Sequence, residues 1–251
     1  MPASKSALLT NVTHFAGPPA LDALLKDGFA VACHDPAFGD ADLRATFEAG
    51  HPGALALEAM APEAIVGEAL EKLGSVEVLV SNDSYPAIVR PVEGLDIEGL
   101  RATLDALVVM PYGLVGSVVP HFRDKGRGTV IMITSPRAKL PMPGGSIPDA
   151  AREAGNALLR SFAKELAPLN VSVNAIAPNY FANEMYFPKA RFVDDAAGRE
   201  FVERMVPAGR LGRPEELGEL VSFLASTDAR FMTGSTLEFT GGWPVSPPLP
   251  D

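Results

Sequence analysis

The chain has 251 residues, of which 47% are hydrophobic, and its formal net charge at pH 7 is −10. This length and composition suit one α/β domain that spans residues 1–251 and buries a substantial core. The acidic balance, with lysines and arginines that do not cluster, argues against nucleic acid as a partner.

Cysteine content and apolar runs exclude further classes of protein. Cys33 is the only cysteine, so an internal disulfide and a cysteine metal cluster are excluded, and we expect no metal site. The apolar runs are shorter than a membrane span, and the first five residues lack the apolar core of a signal peptide. We therefore expect a cytoplasmic protein with no membrane partner.

Short apolar runs alternate with amphipathic segments through the first third of the chain. The runs predict strands at 7–11, 28–34, 54–57 and 76–80. The segments between them predict helices at 20–26, 43–47 and 62–73. Pro18 and Pro19 precede the first of these helices and suit its first turn.

The same alternation continues to the end of the chain. Further helices are predicted at 98–123, 146–168 and 214–225, and further strands at 130–134, 171–176 and 236–239. We interpret the irregular stretch 182–197 as a lid loop on the substrate side, because loops of that length are usually functional. Residues 245–251 form a proline-rich tail.

This order of elements predicts an α/β fold, a single-domain Rossmann-like doubly wound parallel sheet. Ligands of such sheets bind beyond the carboxyl ends of the strands. Phe15, Asn82, Ser135 and Pro178 each follow a predicted strand end. We therefore expect them to meet in one crevice.

Sequence landmarks along nearly the whole chain resemble those of the short-chain dehydrogenase/reductase superfamily. They are a loop after the first strand, Val-Ser-Asn at 80–82, the strand before Ser135, Asn-Ala-Ile-Ala-Pro at 174–178, Arg-Leu-Gly-Arg-Pro-Glu-Glu at 210–216, and Phe-Met-Thr-Gly at 231–234 before Gly241-Gly242. Together they indicate the superfamily's fold, whereas any one alone would be a weak signal.

The dinucleotide-binding loop departs from the superfamily pattern. In Thr10-Asn-Val-Thr-His-Phe-Ala-Gly17, two of the usual glycines are replaced by Asn11 and Phe15. Those glycines normally let backbone amides approach a pyrophosphate at a helix N-terminus. The usual Asn-Ala-Gly after the fourth strand is Asn-Asp-Ser at 82–84, and Leu107 stands where a structural asparagine is expected.

These departures resemble the halohydrin dehalogenases, a branch of the superfamily that uses no nicotinamide cofactor. The match includes Val-Ala-Cys-His-Asp at 31–35, Pro-Asn-Tyr-Phe at 178–181 and Tyr-Phe-Pro at 186–188. The resemblance implies no cofactor, conversion of vicinal haloalcohols to epoxides and halide, and epoxide opening by small anions. It further implies a halide pocket formed by Phe15, Pro178, Asn179 and Tyr180, and a substrate pocket that includes Asn82 and Tyr186.

The branch's chemistry uses a serine that binds the substrate oxygen, a tyrosine base and an arginine that activates the tyrosine. By position, the resemblance assigns the first and last of these roles to Ser135 and Arg152. The tyrosine, four residues before the arginine, is replaced here by Pro148. Proline has no group that can accept or donate a proton.

Each of these residues also has a purely structural interpretation. Ser135 could satisfy nearby backbone groups, and Arg152 could pair with Asp149 on the same helix face. With Ser146 as N-cap, Pro148 lies in the first turn of its helix, where a missing N–H matters little. The replacement at 148 therefore removes chemistry without disturbing the scaffold.

Three groups are possible substitutes for the missing base, namely Asp149, Tyr186 and His14. Asp149 is rotated by about 100° around the helix from position 148. Tyr186 lies in the predicted lid, and His14 follows the first strand. Fixed geometry is what proton transfer requires, and the sequence assigns it to none of the three.

Three hypotheses remain from the sequence. The first is a halohydrin dehalogenase-type lyase, and the second is a non-catalytic relative that kept the pocket. The third, an NAD(P)-dependent oxidoreductase, is disfavoured by the lost glycines and by the lost Tyr-x-x-x-Lys pair. In the catalytic case the partners are a haloalcohol or epoxide and small anions. The superfamily resemblance also implies a homo-oligomer, a dimer or a tetramer formed through the two long helices.

Overall fold

Seven parallel strands form one sheet in the computed structural model of the protein, which describes residues 5–245. The strands are β1 (Ser6–Leu9), β2 (Ala30–Cys33), β3 (Ala54–Ala56), β4 (Val78–Asn82), β5 (Gly128–Ile133), β6 (Val171–Pro178) and β7 (Thr236–Phe239). Their order across the sheet is β3-β2-β1-β4-β5-β6-β7. The predicted Rossmann-like doubly wound parallel sheet is confirmed.

Helices cover both faces of this sheet. They are α1 (Gly17–Lys26), α2 (Ala41–Gly50), α3 (Pro62–Leu73), α4 (Ile97–Leu104), α5 (Met110–Lys125), α6 (Ser146–Leu166), α7 (Ala196–Met205) and α8 (Pro214–Ser226). Helices α1 and α8 bury one face of the sheet, and α3, α5 and α6 bury the other. Because both faces are covered, the central strands are apolar on both sides, and every residue of β4, β5 and β6 is buried.

One long helical stretch, Ile97–Lys125, contains a π-turn at Asp105–Val109. Pro111 has no N–H to bond the carbonyl of Leu107, so the regular helical ladder is interrupted there. Instead the N–H of Met110 bonds the carbonyl of Asp105, five residues back. By length and composition alone the stretch could cross a membrane. In the folded chain it lies on the sheet and buries Leu114 among other apolar residues.

Several predicted boundaries need correction. The helix predicted at 43–47 is the longer α2, because the carboxylate of Asp40 accepts hydrogen bonds from the first backbone amides and starts it earlier. The irregular stretch predicted at 182–197 contains a helical turn at Ala190–Asp194 and the start of α7, which the sequence did not predict. Asp195 caps α7 by accepting a hydrogen bond from the N–H of Gly198. Of the predicted tail, residues 246–251 lie outside the described part of the chain.

The start of α6 also differs from the prediction. Its N-cap is Gly145, and Ser146 is the first helical residue, with no side-chain hydrogen bond capping the helix. Pro148 still lies in the first turn, where its missing N–H leaves no helical bond unmade. The proline therefore fits the first turn as expected, although the helix begins at Ser146 and its N-cap is Gly145.

Candidate functional site

A cavity of about 590 Å³ lies at the carboxyl edge of the sheet, beyond β1, β5 and β6. Eight residues predicted from the sequence line it: Phe15, Pro148, Ser135, Arg152, Pro178, Asn179, Tyr180 and Tyr186. The lining is mainly apolar, with a few polar groups from α6 and the loops, as is typical of small-molecule sites. The structure thus brings the predicted catalytic and halide residues together.

Asn82 does not line this cavity, so its assignment to the substrate pocket is wrong. Its side chain is fully buried under the first loop. Its amide donates to the carbonyls of Asn11 and His14, and the amide of Asn11 donates to the carbonyl of Asn82 at 2.7 Å. Asn82 therefore fixes the loop that carries Phe15, and its influence on the cavity is indirect.

The first loop does not fit a dinucleotide. Phe15 and Asn11 both adopt left-handed backbone conformations, with φ of 52° and 47°. The phenyl ring of Phe15 faces the cavity, while the first turn of α1 holds Pro18 and Pro19, which have no N–H to offer a phosphate. The N–H of Gly17 is already bonded to the carbonyl of His14. The amide cradle that a pyrophosphate needs is therefore missing from this loop.

In a dehydrogenase, an acidic residue such as Asp35 at the end of the second strand could contact the ribose of the cofactor. Here its carboxylate is already hydrogen-bonded by neighbouring residues. Its carboxylate accepts hydrogen bonds from the N–H and hydroxyl of Thr13, and from the N–H of Ala37. Burial raises the pKa of Asp35, but these hydrogen bonds and the nearby His14 outweigh burial and set the pKa below its usual value. Asp35 therefore caps the short helical turn at Pro36–Gly39, and its carboxylate lies 3.4 Å from the ring nitrogen of His14.

Arg152 is 94% buried and lies one turn beyond Pro148 on α6. Its Nη1 donates to the carbonyl of Asp83 at 2.7 Å and, over 3.4 Å, to the carbonyl of Ile133. Its Nη2 lies 3.4 Å from the hydroxyl of Tyr186. A buried guanidinium held by carbonyls keeps its positive charge and aims it at the cavity.

Asp149 does not pair with Arg152, contrary to the structural alternative raised by the sequence. Its carboxylate instead accepts a hydrogen bond from Arg137, in the loop after β5. Neither Asp149 nor His14 lines the cavity, and His14 turns towards Asp35. Both are therefore poorly placed to replace the missing base.

Asp83 provides a buried carboxyl group close enough to Arg152 to feel its charge. The side chain of Asp83 is buried, and it accepts a hydrogen bond of 2.6 Å from the hydroxyl of Ser81. Burial raises the pKa of Asp83 to about 7, against the opposing effects of the Ser81 hydrogen bond and the charge of Arg152. The sequence flagged Asp83 only as a departure from the superfamily pattern and gave it no role.

Ser135 follows β5 and is almost completely buried, yet it lines the cavity. Its Oγ accepts a hydrogen bond of 3.3 Å from the N–H of Arg137. Its carbonyl accepts one from the side-chain amide of Asn156. A hydroxyl that accepts from backbone retains its own proton for donation to a ligand oxygen.

Aromatic side chains form the end of the cavity where the resemblance predicts halide. The ring of Phe15 lies 5.2 Å from that of Phe181, and the ring of Tyr180 lies 6.0 Å from that of Trp243. Desolvation raises the pKa of Tyr180, so its hydroxyl stays protonated and can donate a hydrogen bond. Tyr180 itself has a φ of 53°, which turns the chain sharply after β6.

The sequence missed part of the cavity wall. These residues come from the loops after β4 and β5 and from the segment before α7, and include Tyr85, Pro86, Leu140, Met142, Phe181 and Phe187. The loops could have been suspected because each follows a strand at the same sheet edge. Trp243, near the end of the described residues, also lines the cavity.

Comparison with known proteins places this site in a family. Residues 54–244 match the family model described as enoyl-(acyl carrier protein) reductase. The human protein dehydrogenase/reductase SDR family member 4 is 32% identical over 182 residues, which are 72% of this chain and 64% of that protein. The chain therefore belongs to the short-chain dehydrogenase/reductase superfamily, although it spans less than two thirds of the length of that relative.

Two solved structures are similar over almost the full chain. One, described as a dehalogenation enzyme, shares 36% identity with a TM-score of 0.91, covering 96% of this chain and 98% of its own. The other is halohydrin dehalogenase HheC bound to ethyl (2S)-oxiran-2-ylacetate, with 32% identity and a TM-score of 0.95. It covers 98% of this chain and 100% of its own. The predicted resemblance to this branch is thus confirmed at the level of structure.

Proposed function

We propose that the protein is a halohydrin dehalogenase-type lyase that converts vicinal haloalcohols to epoxides and halide, and opens epoxides with small anions. The observation that carries the proposal is the replacement of the dinucleotide loop by Phe15 at a cavity that also holds Ser135 and Arg152. A cavity that cannot cradle a pyrophosphate but joins a hydroxyl, a cation and an aromatic end suits a neutral oxygen substrate and a halide.

Ser135 and Arg152 divide the work at the oxygen end. The hydroxyl of Ser135 donates a hydrogen bond to the substrate oxygen and orients it. The positive charge of Arg152 stabilises the negative charge that this oxygen gains as it loses its proton, before it attacks the neighbouring carbon. Because Arg152 is buried and fixed by two carbonyls, it needs little rearrangement during the reaction.

The halide leaves towards the aromatic end. Rings present positive edges to an anion, and the protonated Tyr180 can donate a hydrogen bond there. Phe15, Pro178 and Asn179 complete the wall around the departing ion. The proposal requires no metal and no redox cofactor, since the reaction forms a C–O bond and breaks a C–halogen bond without oxidation.

Halide release from short bromo- and chloroalcohols by the purified protein tests the proposal. We expect turnover by the wild type, epoxide opening with azide or cyanide, and a loss of at least 100-fold in kcat/KM for Ser135→Ala. Ser226→Ala, which removes the same atom from an exposed position at the end of α8, is the matched control. Absence of turnover by the wild type on a broad panel would reject the proposal.

Pro148 favours a second candidate, a non-catalytic relative that keeps the pocket. In that case Pro148→Tyr would create dehalogenation where the wild type has none, because a phenol would stand one turn before Arg152. Wild-type turnover abolished by Ser135→Ala would exclude this candidate. The two outcomes are mutually exclusive, so one assay distinguishes the candidates.

We also propose a cytoplasmic homo-oligomer, a dimer or a tetramer. In the most apolar 18-residue segment of Ile97–Lys125, 33% of the residues are buried in the single chain. Val109 and Tyr112 are exposed on this helical stretch. A second copy packed on this helix and on α6 would cover them. Light scattering on the purified protein measures the stoichiometry, and a monomer would contradict the proposal.

A further inference from the structure

We propose that Tyr186, brought in from the segment after β6, supplies the proton-accepting phenol that position 148 lacks. The proposal rests on the proposed dehalogenase function and names the base of that reaction. Tyr186 lies outside α6, in the segment that follows β6.

The proton acceptors available to the cavity are few. Among the described residues that line it, the phenol groups are those of Tyr85, Tyr180 and Tyr186, and burial raises the pKa of Tyr180. Ser135 is too weak an acid, and the two lining arginines, Arg137 and Arg152, stay charged. Of the three tyrosines, only Tyr186 has its hydroxyl within hydrogen-bond range of a guanidinium.

The contacts of Tyr186 fix the position of its hydroxyl. The oxygen accepts from Nη2 of Arg152 over 3.4 Å and donates to the carbonyl of Tyr85 at 2.6 Å. Its ring meets the ring of Phe15 edge-on, at 5.1 Å between centroids. The phenol therefore lies between the cation and the aromatic wall, which is where a base for this cavity is needed.

The backbone of the segment is also held. The side-chain oxygen of Asn183 accepts hydrogen bonds from the N–H groups of Met185 and Tyr186, and the amide of Asn183 donates to the carbonyl of Phe181. An isolated antiparallel bridge joins Asn183 to Phe187. This turn gives Tyr186 the fixed placement that the sequence alone did not assign to it.

The reaction step balances as follows. Tyr186 first releases its proton to water and gives up its bond to the Tyr85 carbonyl, while Arg152 stabilises the resulting negative charge. The phenolate oxygen then takes the proton of the substrate hydroxyl. The substrate oxygen forms a bond to the neighbouring carbon, the C–halogen bond breaks, and the halide departs with the bonding electrons. Tyr186 ends the turnover protonated, as it began, so the net products are epoxide, halide and the one proton released to water.

Tyr186→Phe tests the proposal because it removes one oxygen and keeps the ring that contacts Phe15. We expect kcat for halide release to fall at least 100-fold. We also expect kcat/KM to increase with pH in the wild type and to lose this increase in Tyr186→Phe. Thr46→Val, which removes one hydroxyl from an exposed position on α2 outside the cavity lining, is the control and should retain wild-type rates.

Bromide binding separates a chemical role from a structural one. Trp243 is the only tryptophan and lines the cavity, so its fluorescence quenching by bromide reports anion binding directly. We expect the bromide Kd of Tyr186→Phe to remain within twofold of the wild type. A rise of tenfold or more alongside lost turnover would assign Tyr186 a role in shaping the cavity and overturn the proposal.

A double variant provides the rescue. The double variant Pro148→Tyr/Tyr186→Phe should turn over at least tenfold faster than Tyr186→Phe alone, because it has a phenol one turn before Arg152. Turnover by Tyr186→Phe within threefold of an active wild type would overturn the role of Tyr186 and leave the dehalogenase proposal standing. An inactive wild type would instead reject the proposed function itself.

Discussion

The guanidinium of Arg152 donates a 2.7 Å hydrogen bond to the backbone carbonyl of Asp83, and the carboxyl group of the same residue is buried behind it. The two groups join the end of β4 to α6 and thus connect the sheet to the wall of the cavity. This relationship has consequences for stability as well as for chemistry.

Stability should depend on pH through Asp83. Its pKa in the folded protein is about 7, above the ordinary value of 3.8. Between about pH 4 and pH 7 the folded protein retains a proton that the unfolded chain releases, so the free energy of unfolding falls as pH rises. The slope from this group is at most about 1.4 kcal/mol per pH unit. Asp83→Asn should remove it.

Urea unfolding at pH 5, 6, 7 and 8 measures that difference. The asparagine variant can still accept the hydrogen bond from Ser81, so it is a close structural match. Parallel pH profiles for the wild type and the variant would show that Asp83 has an ordinary pKa in the folded state.

Replacing Arg152 should destabilise the protein. Arg152→Met keeps the length of the side chain but leaves the carbonyls of Asp83 and Ile133 without their buried donor. We expect a loss of about 3 kcal/mol in the free energy of unfolding, together with lost turnover. Arg160→Met, an exposed position on the same helix, should change stability by less than about 0.5 kcal/mol. Equal effects of the two substitutions in denaturant unfolding would contradict this account.

Dinucleotide binding should be absent, and Phe15→Gly alone should not create it. The substitution opens space, but Pro18 and Pro19 still offer no N–H groups, and Asp35 remains bonded to Thr13. Calorimetric titration with NADH and NADPH checks both proteins. A Kd below about 10 μM for the wild type, equivalent to roughly −7 kcal/mol, would revive the oxidoreductase hypothesis.

Tyr180 should contribute to anion affinity. Tyr180→Phe removes a protonated hydroxyl from the halide end, and one lost hydrogen bond of about 1 kcal/mol corresponds to roughly a fivefold rise in the bromide Kd. Quenching of Trp243 fluorescence measures the change. An unchanged Kd would place the anion elsewhere in the cavity.

The sequence predicted the scaffold well because strand and helix periodicity, together with the superfamily landmarks, extend along nearly the whole chain. It also predicted that Ser135 and the residues at 178–180 meet at one edge of the sheet, and the structure brings them together with Arg152 in one cavity, since each position follows from a strand end or a helix register. The sequence did not predict contacts between residues that lie far apart along the chain. Asn82 bonds the loop at 11–14, Asp149 bonds Arg137, and Tyr186 bonds Arg152. None of these contacts produces a recognisable pattern in the sequence around either partner.

The start of α7 was missed for a related reason. Its buried side, with Val202, packs on Val206 and Leu211 in a small separate cluster, and not on the main core. An amphipathic pattern of that size is short, and it follows a stretch without regular periodicity at 182–195. The capping carboxylate of Asp195 was the one local signal that could have revealed it.

A crystal structure of the protein soaked in bromide tests the central claim most directly, because bromide is located by its anomalous scattering. We expect a bromide ion against Phe15 and the 178–180 segment, with Ser135 and Arg152 facing it across the cavity. A cavity without bromide, at concentrations that quench Trp243, would contradict the account.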